Sequence, residues 1–356
     1  MDFTTRCVHA FFGHDLHNGA NLPNINFSVI YSLGDPGRPS CYRRYNNANS
    51  ESLAAAMRSI YGLPEDFPVT ITNCGLSAFI YLCMKFEGSR RVVTADLDDE
   101  CLEAMRAFKG ETVTLDMDKV EDFAFRSTDI VFAEPISNPM LKPYDVKRIC
   151  EAAHKVGAKV VIDNSLLSVA NYNPFDDGAD IVLESGTKWL CGSGDAMLGI
   201  LLGVDTKGKY YQIHGVNPSP IDCYLVQKGI PTLPFRMARI RETGAVVADW
   251  VKSVTPYYSH DPRIGLVTFC LGDTEFQKTF CSKLKLIFWG PVFGQSNTTI
   301  QASNFVKVSY LPPPMNWCLR LSCGLEDGND LVEDLKQAYE AALASGRGRT
   351  IKGVKK

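Results

Sequence analysis

Short β-rich runs recur through the first two thirds of the chain: 68–73 (PVTITN), 91–95 (RVVTA), 112–115 (TVTL), 129–134 (DIVFAE), 158–163 (AKVVID), 180–184 (DIVLE) and 198–203 (LGILLG). Between several of them, as at 75–87 and 144–156, apolar residues return at three- and four-residue spacing, the period of a helix with one buried face. Strand then helix, repeated, predicts an α/β domain whose mostly parallel sheet is covered by helices on both faces. Residues 1–50 lack this periodicity and are rich in Asn, Gly, Pro, Tyr and Arg, so they read as an irregular arm. After about 216 the character changes to a long helix over 221–252 followed by mixed strands and helices, a smaller α+β domain. The expected organisation is therefore an arm (1–50), a large domain (51–215) and a C-terminal domain (216–356). In open parallel sheets ligands sit beyond the carboxyl ends of the strands, so the residues that follow each run are where chemistry belongs.

Composition narrows the function. The chain has 356 residues, 45% hydrophobic and 22% charged, with 37 basic against 40 acidic side chains and a net charge of -3. That balance describes a soluble globular protein and offers no clustered positive charge for nucleic acid. Only the tail from Arg347 to Lys356 is basic, and it reads as a solvated terminus. No apolar stretch approaches the roughly 20 residues of a membrane span. The opening MDFTTRCVHAFFGHD lacks the pattern of an export signal. Twelve scattered cysteines with no CxxC pair predict free thiols in a reducing cytoplasm, without a disulfide framework or a metal site.

Three positions just beyond predicted strands form a set: Asn138 in EPISNP, Asp163 at the end of VVID, and Lys188 in LESGTKW. A lysine at a buried strand end, partly desolvated, can form a Schiff base, although Lys188 taken alone reads more readily as a solvated surface charge. Asp163 follows a run of apolar residues, an expensive place for a carboxylate unless a cation or donor meets it. Pyridoxal 5'-phosphate explains both, since it needs a lysine for its aldehyde, a carboxylate for its ring nitrogen and a nest of donors for its phosphate. The N–H groups of Gly75 and Leu76 at a helix start and the hydroxyls of Ser185 and Thr187 supply such a nest.

With these residues in place, the chain resembles the Cys/Met-metabolism family of pyridoxal-phosphate enzymes, which includes cystathionine γ-synthase, cystathionine lyases and methionine γ-lyase. The resemblance covers nearly the whole chain. It is most specific over VVIDNSLLSVANYNPFDDGADIVLESGTKWLCGSGDAMLG, and also touches TRCVHA, CYRRYNNAN, EPISNP, TLPFRM and RLSCGLEDGNDL. It implies pyridoxal-phosphate fold type I, like aspartate aminotransferase. By the same resemblance Lys188 is the Schiff-base lysine, Asp163 the partner of the ring nitrogen, Ser185 and Thr187 phosphate ligands, and Ser165 a neighbour of the ring. Asn138 then lies near the cofactor's phenolic oxygen, and Arg320 grips the substrate α-carboxylate, a task suited to a planar fork of donors. Tyr42 and Arg44 fall on the family's Tyr-x-Arg, which reaches the phosphate in the neighbouring subunit. A homo-oligomer with shared sites follows, either a dimer or a tetramer.

The departures carry information too. Where the family has a tyrosine over the pyridine ring, this chain reads Asp96-Leu97-Asp98-Asp99-Glu100-Cys101, with Asp98 in the tyrosine's place. Asp98 reads equally as a cap of the helix that begins near Glu100. The segment FWGPVFGQSNTTI fits the family's Ser-Leu-Gly-Gly only loosely. The resemblance implies elimination or replacement at Cγ of an L-amino acid. A thiolate leaving group gains from the missing tyrosine's proton and a halide does not, so Asp98 raises a halogenated substrate, such as a chlorinated allylglycine that would yield a terminal alkyne. A sulfur amino acid lyase or synthase is the alternative, and a catalytically impaired member serving as a binding partner is a third. A nicotinamide enzyme fits poorly, because GSGDAMLG lacks a third glycine at dinucleotide spacing and does not follow the first strand.

Overall fold

The computed structural model describes residues 1–12, 21–32, 42–86, 91–95, 99–105, 111–206, 209–302 and 318–354. The chain divides into two compact units: Met1–Ile136 with Pro143–Pro234, and Ser137–Lys142 with Phe235–Lys356.

In the first unit the chain runs α1 (Phe3–His9), α2 (Ala48–Tyr61), β1 (Val69–Thr72), α3 (Gly75–Lys85), β2 (Arg91–Ala95), α4 (Asp99–Met105), β3 (Glu111–Thr114), β4 (Asp129–Ala133), α5 (Val146–His154), β5 (Lys159–Asp163), β6 (Ile181–Ser185), β7 (Gly199–Leu202), α6 (Lys209–His214) and α7 (Pro220–Gly229). All seven strands fall on the runs read from the sequence. The sheet order is β1-β7-β6-β5-β4-β2-β3. Pairing is parallel from β6 through β3, while β7 lies antiparallel to both β6 and β1. β7 can reach the turn before α3 because residue 199 is glycine: a Cβ there would lie 2.2 Å from the Cys74 carbonyl oxygen.

Local chemistry explains the helices that matter to the site. α2 starts in a reciprocal cap, in which Asn47 Oδ1 accepts from Ser50 N–H at 2.8 Å and Ser50 Oγ from Asn47 N–H at 3.3 Å. It buries Leu53, Met57, Ile60 and Tyr61, one helical stripe, and stops at Gly62 with φ 70°. α3 lays Ala78, Phe79 and Leu82 into a core with Ile130, Phe132 and Val161. The expected irregular arm contains the seven-residue α1, because Asp2 caps it by accepting from Thr5 N–H at 2.9 Å.

The long helix expected over 221–252 is interrupted. α7 ends at Gly229, a 3₁₀ turn spans Ile230–Thr232, and α8 (Leu233–Val254) follows. Pro231 and Pro234 lack the N–H that a continuous helix needs at those positions, which breaks the ladder. The helical segment after 216 stays with the first unit as far as Pro234.

The second unit continues with β8 (Tyr258–His260), β9 (Leu266–Phe269), α9 (Thr274–Cys281), β10 (Phe288–Trp289), β11 (Thr299–Ala302), β12 (Leu319–Ser322) and α10 (Gly328–Ser345). Its sheet order is β10-β11-β12-β9-β8. Val247 and Val251 of α8 and Leu331 and Leu335 of α10 share its core with Val267, Phe269 and Leu321. No helix among the described residues is long and apolar enough to cross a membrane.

Candidate active site

The ends of β5 and β6 carry the central residues of the first unit. The strands pair in parallel with Asp163 opposite Leu183, which brings Asp163 and Ser185 to one edge of the sheet. Asp163 Oδ1 accepts the Ser165 N–H at 2.9 Å, so the carboxylate is oriented by its own turn. Ser165 Oγ in turn accepts the Ser185 N–H at 2.8 Å. Asp163, Ser165 and Ser185 are thus joined by consecutive hydrogen bonds.

Lys188 stands in the turn Gly186–Leu190 that follows β6, and its φ of -89° and ψ of -125° break the helical path there. Apolar anchors fix the turn. Trp189 is 1% exposed, and its Nε1 donates to the Leu166 carbonyl at 2.9 Å, tying the lysine turn to the turn after Asp163. Leu190 is fully buried, worth about 2 kcal/mol of apolar transfer. Lys188 itself is half-buried. The Thr187 hydroxyl accepts from Leu198 N–H at 3.0 Å and approaches the Leu198 carbonyl at 3.5 Å, so its own hydrogen is only weakly engaged there.

α3 begins beside this turn. Cys74 Sγ caps it by accepting the Ser77 N–H at 3.3 Å, and the Cys74 carbonyl takes the Ala78 N–H at 3.1 Å. Gly75 and Leu76 occupy the first two helical positions, whose N–H groups have no acceptor within a helix and lie at its positive end. A Cβ at Gly75 would fill space 3.6 Å from Ser185 Cβ and 3.7 Å from its Oγ. The cradle left by that missing side chain, with two backbone donors and two hydroxyls, has the donor set a phosphate dianion requires. A carboxylate on the adjoining strand end and a lysine one turn away complete the groups that pyridoxal phosphate needs, so these residues fit it.

The second unit builds a separate cluster around Arg320, in β12 and only 7% exposed. Its Nη1 donates to Asn138 Oδ1 at 2.8 Å and its Nη2 to Gln301 Oε1 at 2.5 Å. The guanidinium also lies over the Phe293 ring, 5.2 Å from the centroid. Asn138, read from the sequence together with Asp163 and Lys188, therefore groups with Arg320 in the second unit. Its segment, Ser137–Lys142, leaves the first unit after β4.

Tyr42 and Arg44 lie in the first unit. Tyr42 bridges to Ile30, and Arg44 stacks over the rings of Tyr42 and Tyr45 while its Nη1 donates to the Gln212 carbonyl at 2.7 Å. Asp98 lies outside the described residues.

Four residues that the sequence did not single out belong to these clusters. Gln301 and Phe293 hold Arg320, and both fall in or beside the loosely matching segment. Glu184 is buried next to Ser185, and Tyr61 donates to its Oε2 at 2.5 Å. Burial pushes the Glu184 carboxyl up to about 7, and burial together with Glu184 pushes the Tyr61 phenol well above its usual range. The one available signal for Glu184 was a charged residue placed between the apolar stretch 181–183 and Ser185.

A family model described as Cys/Met metabolism PLP-dependent enzyme matches residues 7–340. Cystathionine gamma-lyase from Bos taurus is 27% identical over 96% of this chain and 94% of its own length. Cystathionine gamma-synthase from Escherichia coli is 26% identical over 95% of this chain and 98% of its own. Among solved structures, cystathionine gamma synthase from Xanthomonas oryzae pv. oryzae superposes with a TM-score of 0.86 at 24% identity, covering 97% of this chain and 99% of that one.

Proposed function

This chain belongs to the Cys/Met metabolism family of PLP-dependent enzymes, whose cofactor is pyridoxal 5'-phosphate and whose chemistry is γ-elimination or γ-replacement, and we propose that it carries out that chemistry on an L-amino acid with Lys188 as its proton-moving amine. The observation that carries the assignment is the linked set at the ends of β5 and β6: Asp163, Ser165 and Ser185 joined by hydrogen bonds, with Lys188 in the turn pinned to them through Trp189.

When bound, pyridoxal phosphate supplies an electron sink for the charge left at Cα after a proton is removed. The chain supplies the rest. Gly75 and Leu76 N–H, with the Ser185 and Thr187 hydroxyls, bind the phosphate. Asp163 accepts the hydrogen of the ring nitrogen, and Ser165 keeps that carboxylate in orientation. Lys188 Nζ would serve as the base for the Cα proton and, once it has given that proton up to the cofactor-bound substrate, for a Cβ proton, after which the γ-substituent can leave. Arg320, steadied by Asn138 and Gln301, orients the α-carboxylate with its two-pronged donor face. Tyr42 and Arg44 complete the phosphate site of a neighbouring copy, which makes the active form a homo-oligomer.

Two leaving-group classes are separated by one residue. The names of the relatives favour a sulfur substituent, as in cystathionine. Asp98, standing where the family has a tyrosine able to protonate a departing thiolate, favours a group that needs no proton. A halide is such a group, and elimination from a chlorinated allylglycine would give a terminal alkyne. Incubation with cystathionine and with γ-halogenated amino acids, followed by cofactor absorbance and product mass, decides between them. Release of cysteine or homocysteine with no turnover of the halogenated compounds assigns sulfur chemistry, and the reverse assigns the halide. Turnover of neither, with no exchange of any amino acid's α-proton in deuterated water, defeats the enzymatic reading.

A further inference from the structure

One buried titratable cluster stands behind Asp163 and takes no part in the steps above. Glu184, 1% exposed, lies between Leu183, which faces Asp163 across the β5–β6 pairing, and Ser185. Its neighbours come from two directions. Tyr61, the last residue of α2, donates to Glu184 Oε2 at 2.5 Å, and the Phe175 ring packs edge-on against the phenol at 6.1 Å. From the other side comes the turn that follows Asp163. Asn164, fully buried, donates from Nδ2 to the Tyr172 carbonyl at 2.9 Å and approaches the Tyr61 hydroxyl at 3.5 Å. Its backbone N–H bonds the Leu183 carbonyl at 2.8 Å, and its own carbonyl takes the Ser168 N–H at 2.7 Å.

Ser168 closes the turn with a φ of 59°, a left-handed conformation that a non-glycine residue adopts only where its surroundings impose it. The Ser168 hydroxyl and Asn164 Oδ1 are buried without a well-aligned hydrogen-bond partner. The Ser168 hydroxyl and the Val169 N–H nevertheless lie near enough to Glu184 to favour its ionised form, in opposition to burial. Among the described residues, the titratable groups near enough to act on Glu184 are Tyr61 from α2 and Asp163 from β5.

We propose that Glu184, together with Tyr61, is a positioning residue for Asp163: it holds the Asn164–Ser168 turn from behind and sets the charge that the Asp163 carboxylate feels. The inference rests on the reading that Asp163 meets the ring nitrogen of the cofactor. Because burial moves the Glu184 carboxyl up to about 7, this residue is neutral in mildly acid solution and gains its charge near neutrality. Like charges raise each other's proton affinity. The ionised Glu184 therefore strengthens the hold of the Asp163 site on a shared proton, and a residue that cannot ionise removes that reinforcement.

The test is a pH titration of the bound cofactor's visible absorbance in the loaded wild type, Glu184→Gln and Tyr61→Phe. In Glu184→Gln, which keeps the shape but never carries charge, the midpoint falls by at least about half a pH unit. Tyr61→Phe shifts it in the same direction, because loss of the phenol donor keeps Glu184 protonated to higher pH, and this variant carries the test if the glutamine variant does not fold.

The cofactor-free protein gives a second readout. A carboxyl whose folded pKa is raised contributes stability that is complete below its unfolded value and is lost as pH rises through about 7. The thermal midpoint of the wild type relative to Glu184→Gln therefore declines between about pH 5 and pH 7.5. An absorbance midpoint unchanged in both variants, with cofactor bound, overturns this inference alone. A wild type that develops no visible absorbance overturns the cofactor reading and the inference with it.

Discussion

Replacing Gln301 with methionine asks whether Arg320 works because its neighbours hold it. Gln301 stands opposite Arg320 in the antiparallel β11–β12 register, and its Oε1 takes Nη2 at 2.5 Å while Asn138 takes Nη1 at 2.8 Å. Methionine preserves the length and unbranched shape of glutamine, but its thioether is a weak acceptor. A hydrogen bond to a charged group contributes about 1.5–3 kcal/mol, and here the guanidinium is nearly buried, so the deserted Nη2 donor finds little water. The Asn138 bond and the Phe293 ring remain, and without Gln301 the donor fork is freer to rotate away from the orientation proposed to grip a carboxylate. If about half of the loss, roughly 0.8–1.5 kcal/mol, falls on substrate binding, KM rises about four- to twelvefold. Because Lys188 and the phosphate cradle are untouched, kcat stays within about twofold, the signature of lost uniform binding. The assay is steady-state kinetics on whichever amino acid the substrate screen identifies, paired with thermal unfolding. Gln301→Met in an Arg320→Lys background should add little, since both changes act on one interaction. A variant that melts earlier yet keeps its KM would refute the argument and leave Gln301 a purely structural partner.

Three other outcomes are expected. Lys188→Ala loses turnover and the borohydride-reducible link to pyridoxal phosphate while its far-ultraviolet spectrum is unchanged; a surviving link would mean that another lysine is the cofactor's partner. Asp163→Ala still retains cofactor through the phosphate cradle but loses at least about a hundredfold in kcat, some 2.7 kcal/mol of barrier, and normal turnover would remove it from the ring nitrogen. Mixing inactive Lys188→Ala with inactive Arg44→Ala chains restores part of the activity after subunit exchange, because one hybrid site receives both wild-type residues; no recovery after verified exchange would count against a site shared between copies.

The residues proposed to hold the cofactor were legible in the sequence because they are local to strand ends. A run such as AKVVID announces a buried strand, and whatever polar residue ends it must be met by something. Asp163, Ser185 and Lys188 therefore fall where the period-based reading put them, as do all seven strands of the first sheet. The break at Pro231 and Pro234 was also written in the sequence, and apolar periodicity over 221–252 masked it. What the sequence could not supply was pairing across distance. Asn138 follows a strand of the first sheet, yet its side chain bonds to Arg320, 182 positions away, because the chain after β4 passes into the second unit before returning. Gln301 gains its role only from antiparallel register with β12. Glu184 shows the limit most plainly. In sequence it is one charged residue in an apolar run. Its burial, its raised proton affinity and its place behind Asp163 come from Tyr61, 123 positions earlier, whose phenol reaches it only after α2 has packed. Strand and helix periods are set by neighbours a few residues apart, whereas desolvation and hydrogen-bond partners are set by whatever the fold brings near.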